Sequence, residues 1–124
     1  MQMPIEAVLL RVFVGEDDYY QHRPLYEVIV ERALAMKLAG ATVLPGPEGF
    51  GHSGVIRSEL SVDAGPRLPM VVEIVDTEAQ IERFLPVLDG MIESGLVTLE
   101  RLRAIYYPGR SDRPDGEPVA HSEA

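Results

Sequence analysis

The chain has 124 residues, a hydrophobic fraction of 46% and no cysteine, so it can form one compact domain but has no disulfide or thiolate chemistry. Its 20 acidic and 11 basic side chains give a formal net charge of −9, which opposes non-specific binding to nucleic acid or to an anionic membrane. The N-terminal residues lack a secretory pattern and no apolar run approaches the ~20 residues of a membrane span, so we expect a cytoplasmic protein that is not membrane-embedded.

The first half of the chain predicts a strand, a helix and a second strand. Residues 5–14 carry apolar side chains on both alternating faces, which is typical of a strand covered on both sides. Residues 16–23 are predicted to form a loop, and Pro24 suits the first turn of a helix whose apolar stripe leads to a stop at Gly40. A short strand over residues 41–44 follows.

The periodic pattern disappears between residues 45 and 68, a segment that we call the central loop. It contains five glycines and three prolines, and only residues 54–60 suggest the edge of a strand. A connection this long within a compact domain is uncommon and is usually functional or disordered. Its glycines permit positive φ and expose backbone donors. The loop is therefore the leading candidate for contact with a ligand or partner, with an ordinary flexible crossover as the alternative.

The second half of the chain repeats the order strand, helix, strand. Residues 70–75 form an apolar strand, and Thr77 with Gln80 makes a capping box for a helix that we expect to end at Gly95. The last strand is predicted over residues 99–107 after a turn at 96–98, because the apolar side chains change face there. Residues 1–107 then form the domain, and residues 108–124 lack apolar periodicity and are predicted to be a disordered acidic tail.

The order β-α-β-loop-β-α-β predicts an α+β ferredoxin-like sandwich with a four-stranded antiparallel sheet. Both helices then cover the same face of the sheet, although its first and third strands are apolar on both faces. The other face needs a partner, and a second copy of the same sheet is the simplest one. Arg11 and Glu73 are the main charges in these two strands, and we expect an ion pair across strands or between subunits rather than a ligand contact.

Side chains that could carry catalytic or ligand chemistry are sparse. Asp17 and Asp18 with His22 or His52 suggest a small metal-dependent enzyme as an alternative, but their spacing fixes no coordination geometry and no nucleophile or phosphate-binding motif accompanies them. We therefore expect neither catalysis nor a resident cofactor. Four cations are best placed to reach a cleft between subunits: Arg57, Arg67, Arg101 and Arg103. For each of them the alternative is an ordinary solvated position on the surface.

Several short motifs, each weak alone, together resemble a known family. GATVL at residues 40–44 followed by GFG at 49–51 is similar to the strand-to-loop signature of the PII signalling proteins. A fuller resemblance is to the PII-like family named after domain of unknown function 190. It covers residues 5–107 and rests on GEDD at 15–18, PLYE at 24–27, LAGATV at 38–43, EGFG at 48–51, LPMVVEIVD at 68–76, FLP at 84–86 and GLVTLE at 95–100.

The resemblance implies a ferredoxin-like subunit within a homotrimer whose sheets face inward. It implies that an adenine nucleotide or another small anionic effector binds in clefts between subunits. It further implies that the central loop is a T-loop, which changes shape with the ligand and docks on a partner protein such as a transporter. The ligand-binding residues assigned on this basis are Thr42, Gly46, Gly49, Phe50, Gly51, Arg57, Arg101 and Arg103.

The chain departs from the PII pattern in two places. The glycine-rich loop that cradles phosphate in PII proteins falls on residues 93–98, which contain one glycine and no lysine. No tyrosine lies between residues 45 and 68, so the tyrosine that some PII proteins modify is missing. These departures leave a different nucleotide or small anion open as the effector. They also leave a structural or metal-tolerance trimer without nucleotide binding as an alternative function.

Overall fold

The computed structural model describes residues 2–50, 56–58 and 68–109, where two helices lie on one face of a four-stranded antiparallel sheet. In chain order the elements are β1 (Ile5–Gly15), β2 (Tyr19–Tyr20), β3 (Arg23–Pro24), α1 (Leu25–Ala35), β4 (Thr42–Pro45), β5 (Glu48–Gly49), β6 (Arg57–Ser58), β7 (Pro69–Asp76), α2 (Glu78–Asp89) and β8 (Leu96–Ala104). The sheet order is β4-β7-β1-β8, and the ribbons β2-β3 and β5-β6 lie outside it. This topology confirms the predicted ferredoxin-like α+β fold.

The core lies between the helices and one face of the sheet. Alternate residues of a strand point to opposite faces, so every second side chain of β1 and β7 enters this core. Burying one such aliphatic or aromatic side chain contributes about 1.5–3 kcal/mol. The residues that fill it are Val8, Leu10, Val12, Val14, Met70, Val72 and Ile74 from the sheet and Leu25, Val28, Ile29, Ala33, Ile81, Phe84 and Leu88 from the helices.

Helix α1 ends earlier than its sequence predicts. Its last residue is Ala35 rather than one next to Gly40, because Lys37 adopts a left-handed conformation with a φ of 61°. The Leu38 N–H then donates to the Ala33 carbonyl at 3.0 Å, the long hydrogen bond of a Schellman motif. Leu38 is buried in the core, and this apolar contact stabilises the left-handed residue without glycine. The following strand is shifted accordingly and occupies Thr42–Pro45.

Residues 16–23, predicted as a plain loop, contain part of the short ribbon β2-β3. Gln21 and His22 form its two-residue turn with φ values of 50° and 68°, and positive φ at both positions is what a type I′ hairpin turn requires. Pro24 ends β3 and lies at the N-cap of α1 rather than inside its first turn. The acidic segment after β1 is therefore a folded hairpin.

Helix α2 begins as predicted but ends sooner. Thr77 Oγ1 accepts a hydrogen bond from the Gln80 N–H at 3.3 Å, so Thr77 is the N-cap. The helix ends at Asp89 and not at Gly95. An irregular turn follows and keeps Met91 buried in the core, which explains why the apolar stripe suggested a longer helix.

Strand β8 is continuous from Leu96 to Ala104, so the turn predicted at residues 96–98 and the extension to residue 107 were wrong. Its apolar side chains do change face. Val97 packs against the core on the helix side, whereas Leu99 on that same side is already 54% exposed. Beyond this point the apolar Leu102 lies on the opposite face. The pattern changes because the helices cover only the beginning of β8, and the strand needs no turn.

The face of the sheet away from the helices, here called the open face, is largely apolar. None of the described helices or strands covers it, although its central residues Ala7 and Leu9 are shielded by their neighbours. The partly or largely exposed apolar residues that the strand register places on it are Ile5, Phe13, Leu44, Val71, Val75, Leu96 and Leu102. The expectation that β1 and β7 are apolar on both faces is confirmed.

The open face carries one charged cluster near its centre. Arg11 Nε donates to Glu73 Oε2 at 2.8 Å, which confirms the predicted cross-strand ion pair, and Arg11 Nη1 lies 3.8 Å from Glu100 Oε1. The hydrogen bond to Glu73, reinforced by the charges of both carboxylates, raises the pKa of Arg11 above its ordinary value. Arg11 therefore stays charged, and a partner on this face must accommodate the cluster.

Gly95 permits close packing of β8 on β1, and this generates a stability prediction. A Cβ at Gly95 would lie 2.8 Å from the Phe13 carbonyl oxygen, whereas a Cβ at Gly90 would lie 3.7 Å from the nearest atom outside its chain neighbours. We expect Gly95→Ala to lower the free energy of unfolding by about 1–3 kcal/mol, because the backbone must shift. Gly90→Ala is the matched control and should be neutral or stabilising by up to about 1 kcal/mol.

Denaturant unfolding at one fixed protomer concentration measures both variants, since any subunit association makes apparent stability depend on concentration. Equal losses of stability in the two variants would contradict the packing role of Gly95.

Candidate functional site at the base of the central loop

The central loop leaves the sheet at Pro45, the last residue of β4, and returns to it at Pro69, the first residue of β7. The Gly46 N–H donates to the Pro69 carbonyl at 2.8 Å. Cβ atoms added to Gly46 and Gly49 would lie only 3.1 and 3.2 Å from Pro69 Cγ, so both glycines allow the loop to pass close over the proline ring. These three residues define what we call the loop base.

Beyond the loop base the chain forms the ribbon β5-β6. Glu48–Gly49 pairs with Arg57–Ser58, which lies within the residues 54–60 whose sequence suggested a strand. Next to this ribbon, Phe50 is 71% exposed and Ile56 is 62% exposed. Two large apolar side chains in this position form a surface that a ligand or a protein partner can bury.

Five of the eight predicted site residues lie at the loop base, on strand β4 that leads to it, or in and next to the ribbon beyond it: Thr42, Gly46, Gly49, Phe50 and Arg57. Thr42 pairs with Glu73 on the open face and lines a cavity of about 450 Å³ there. For Arg57 the strand position is described but not the side chain, and Gly51 and Arg67 lie outside the described residues.

Arg101 and Arg103 lie far from the loop base of their own chain. Arg101 pairs with Val8, and Gly15, which reaches the loop base, lies seven residues further along β1. At about 3.3 Å per residue this separation is roughly 23 Å, and Arg103 is further away. Arg101 instead lies 3.1 Å from Glu78 in an exposed ion pair. Within one chain these two cations and the loop base do not form a single site.

An acidic turn borders the loop base. Gly15 pairs with Pro69 at the end of the β1-β7 ladder, and the Gly15 N–H donates to Asp18 Oδ2 at 2.7 Å. Glu16, Asp17 and Asp18 therefore lie beside the site. Their negative potential disfavours a polyphosphate unless a metal ion or arginine side chains offset it.

Two residues that the sequence analysis did not assign also meet at this point. The Glu16 N–H donates to the Leu68 carbonyl at 2.8 Å, and the Leu68 N–H donates to Glu16 Oε1 at 3.0 Å. Both residues fall within motifs that carry the family resemblance, GEDD at 15–18 and LPMVVEIVD at 68–76, but neither motif indicates that they meet. The contact connects the acidic turn to the return end of the central loop.

The segment where PII proteins have their phosphate cradle has a different environment here. Gly95 packs against the Phe13 carbonyl, so its missing side chain serves the fold. A groove of about 610 Å³ lies beside this segment, between α2 and β8, and the residues that line it are Glu82, Leu85, Pro86, Leu88, Asp89, Ile92 and Val97. These walls are apolar and acidic, which does not suit a phosphate group.

The described part of the chain offers neither a metal cluster nor a membrane-spanning helix. Within residues 2–50, 56–58 and 68–109 no group of three or more His, Cys, Asp or Glu side chains is arranged to hold a metal ion. His22 lies in the β2-β3 turn, and His52 is outside the described residues. No helix among the described residues is both long enough and apolar enough to cross a membrane.

Comparison with known proteins places these features in a family. The model of DUF190, described as "Uncharacterized ACR", matches residues 7–104. A UPF0166 protein of Aquifex aeolicus (strain VF5) is 39% identical over 102 residues, which cover 82% of this chain and 96% of that protein.

Two solved structures share the fold at low sequence identity. A protein described as PII-like and signalling, from Thermus thermophilus, superposes with a TM-score of 0.61 at 18% identity and covers 82% of this chain and 92% of its own. CPII from Thiomonas intermedia K12, described as bound to ADP and bicarbonate, has a TM-score of 0.55 at 13% identity and covers 86% of this chain and 95% of its own. The chain therefore belongs to the DUF190 family and has the fold of the PII-like proteins.

Proposed function

We propose that this protein is a cytoplasmic PII-like regulatory trimer that binds a small anionic effector, with an adenine nucleotide as the first candidate, in a cleft between subunits. It then signals to a partner protein, such as a transporter, through the central loop. The observation that carries the proposal is the loop base, where Gly46 and Gly49 pass over Pro69 and begin a ribbon next to exposed apolar side chains.

The trimer is supported by the open face. An apolar sheet surface with no covering element among the described residues is stabilised when another copy covers it, at about 25 cal/mol per Å² of apolar surface removed from water. The positions of the cations are compatible with such an assembly. Because Arg101 and Arg103 are distant from their own loop base, a neighbouring subunit has to supply them if they contact the effector.

The shared fold supports a small anion as the effector, and the acidic side chains near the loop base restrict which anion can bind. CPII, which shares the fold, is described as bound to ADP and bicarbonate, so these two anions are the first ligands to test. The acidic turn at residues 15–18 means that a polyphosphate binds better with Mg²⁺ or with arginines from a neighbouring subunit. Signalling through the loop is supported by the exposed Phe50 and Ile56, which a partner protein can bury.

Effector binding generates the first functional prediction. We expect ADP in the presence of Mg²⁺ to bind the intact protein in a calorimetric titration, with bicarbonate tested as a second ligand. Gly49→Ala should weaken ADP binding at least several-fold, because its Cβ would press on Pro69 Cγ at 3.2 Å and move the loop base. Gly90→Ala, whose Cβ has ordinary clearance, is the matched control and should bind as the wild type does.

An absence of binding to ATP, ADP, AMP and cyclic AMP, with and without Mg²⁺, would remove the nucleotide proposal. It would favour the structural trimer that the sequence left as an alternative.

Assembly through the open face generates a second prediction. We expect sedimentation equilibrium to give three times the chain mass of 13.7 kDa. Val75 lies on the open face of the central strand β7 and is 38% exposed, whereas Leu34 on α1 is 72% exposed. Val75→Asp should dissociate the trimer by placing a charge in an apolar interface, and Leu34→Asp, the control, should not.

Far-UV circular dichroism of each variant verifies that the subunit is folded. A wild-type protein with the mass of one chain, or a folded Val75→Asp variant with the wild-type mass, would contradict this mode of assembly.

A further inference from the structure

The contact between Glu16 and Leu68 closes the β1-β7 ladder in an unusual way. Gly15 pairs with Pro69, so Glu16 and Leu68 form the next pair along the ladder. In a regular antiparallel pair of this kind the two residues exchange backbone hydrogen bonds, and the Glu16 carbonyl would accept from the Leu68 N–H. Here the Glu16 side chain accepts that hydrogen bond, although the Glu16 N–H still donates to the Leu68 carbonyl.

The turn after β1 explains this exchange of acceptors. The Asp18 N–H donates to the Gly15 carbonyl at 3.1 Å, and the Gly15 N–H donates to the Asp18 carboxylate, so the backbone turns immediately after Gly15. Such a turn directs the Glu16 carbonyl away from the ladder, and the Glu16 carboxylate replaces it as the acceptor. The side chain thus extends the β1-β7 pairing by one residue beyond the regular strand.

We propose that Glu16 is a positioning residue that fixes where the central loop re-enters the sheet. Leu68 is the residue immediately before Pro69, and the Pro69 carbonyl and ring hold the other end of the loop at Gly46. Two consecutive residues therefore hold both ends of the loop. Leu68 binds Glu16, and Pro69 contacts Gly46.

Glu16 also connects the loop base to the body of the subunit. The Leu25 N–H at the start of α1 donates to the Asp18 carbonyl at 2.8 Å, so the turn that carries Glu16 is fixed to this helix. A movement of Pro69 that carries the adjacent Leu68 with it either breaks the Glu16 contact or moves the turn. The contact thereby links effector binding at the loop base to the start of α1. This link rests on the proposed function, whereas the positioning role of Glu16 does not.

The test is amide hydrogen exchange at Leu68, measured by NMR on the full-length protein without any effector. We expect Glu16→Ala to accelerate exchange of the Leu68 amide by roughly tenfold, the effect of losing one hydrogen bond to a charged acceptor, while amides in the middle of β7 keep their wild-type rates. Glu16→Gln retains an Oε1 acceptor and should restore most of the protection. Glu48→Ala removes another carboxylate near the loop base and should not change Leu68 exchange.

Unchanged Leu68 exchange in Glu16→Ala would overturn the proposal, and so would exchange in Glu16→Gln as fast as in Glu16→Ala. Rates that rise equally throughout β7 would also overturn it, because they would show general destabilisation rather than local positioning. The measurement needs no ligand. If Leu68 responds as expected while ADP fails to bind, the positioning role stands and only the proposed function fails.

Discussion

The two central strands of the sheet are apolar on both faces, and the two helices cover only one of these faces. β1 alternates core residues such as Leu10 and Val12 with open-face residues such as Leu9 and Phe13. The free energy of the folded subunit therefore depends on what covers the open face, since each exposed apolar side chain forgoes part of its hydrophobic stabilisation. The ion pair between Arg11 and Glu73 restricts how a covering surface can approach.

The position of β7 within the sheet determines where the loop base lies. β7 lies between β1 and β4, so its first residue, Pro69, has the acidic turn on one side and Gly46 on the other. The loop base is thus attached to an inner strand of the sheet, while the ribbon beyond it is bordered by exposed apolar side chains. In the trimer that we propose, arginines of a neighbouring subunit are needed to offset a site that is acidic within one chain.

The apolar periodicity of residues 5–14 and 70–75 was sufficient to predict the sheet topology, because alternation and element order leave few arrangements. The ends of the elements depended on tertiary contacts. Lys37 becomes left-handed because Leu38 is buried, which a local pattern does not reveal. The glycines indicated the loop base, but Glu16 could not be assigned. Its role depends on the strand register that brings it to Leu68, 52 residues away in sequence.

A crystal structure of the full-length protein grown with ADP and Mg²⁺ tests the central claim most directly. The account predicts three copies with their open faces turned inward and the nucleotide beside Gly46 and Gly49, within reach of Arg101 or Arg103 of a neighbouring subunit. Copies that associate through the helices and leave the open face in solvent would contradict it. So would a nucleotide bound away from the loop base.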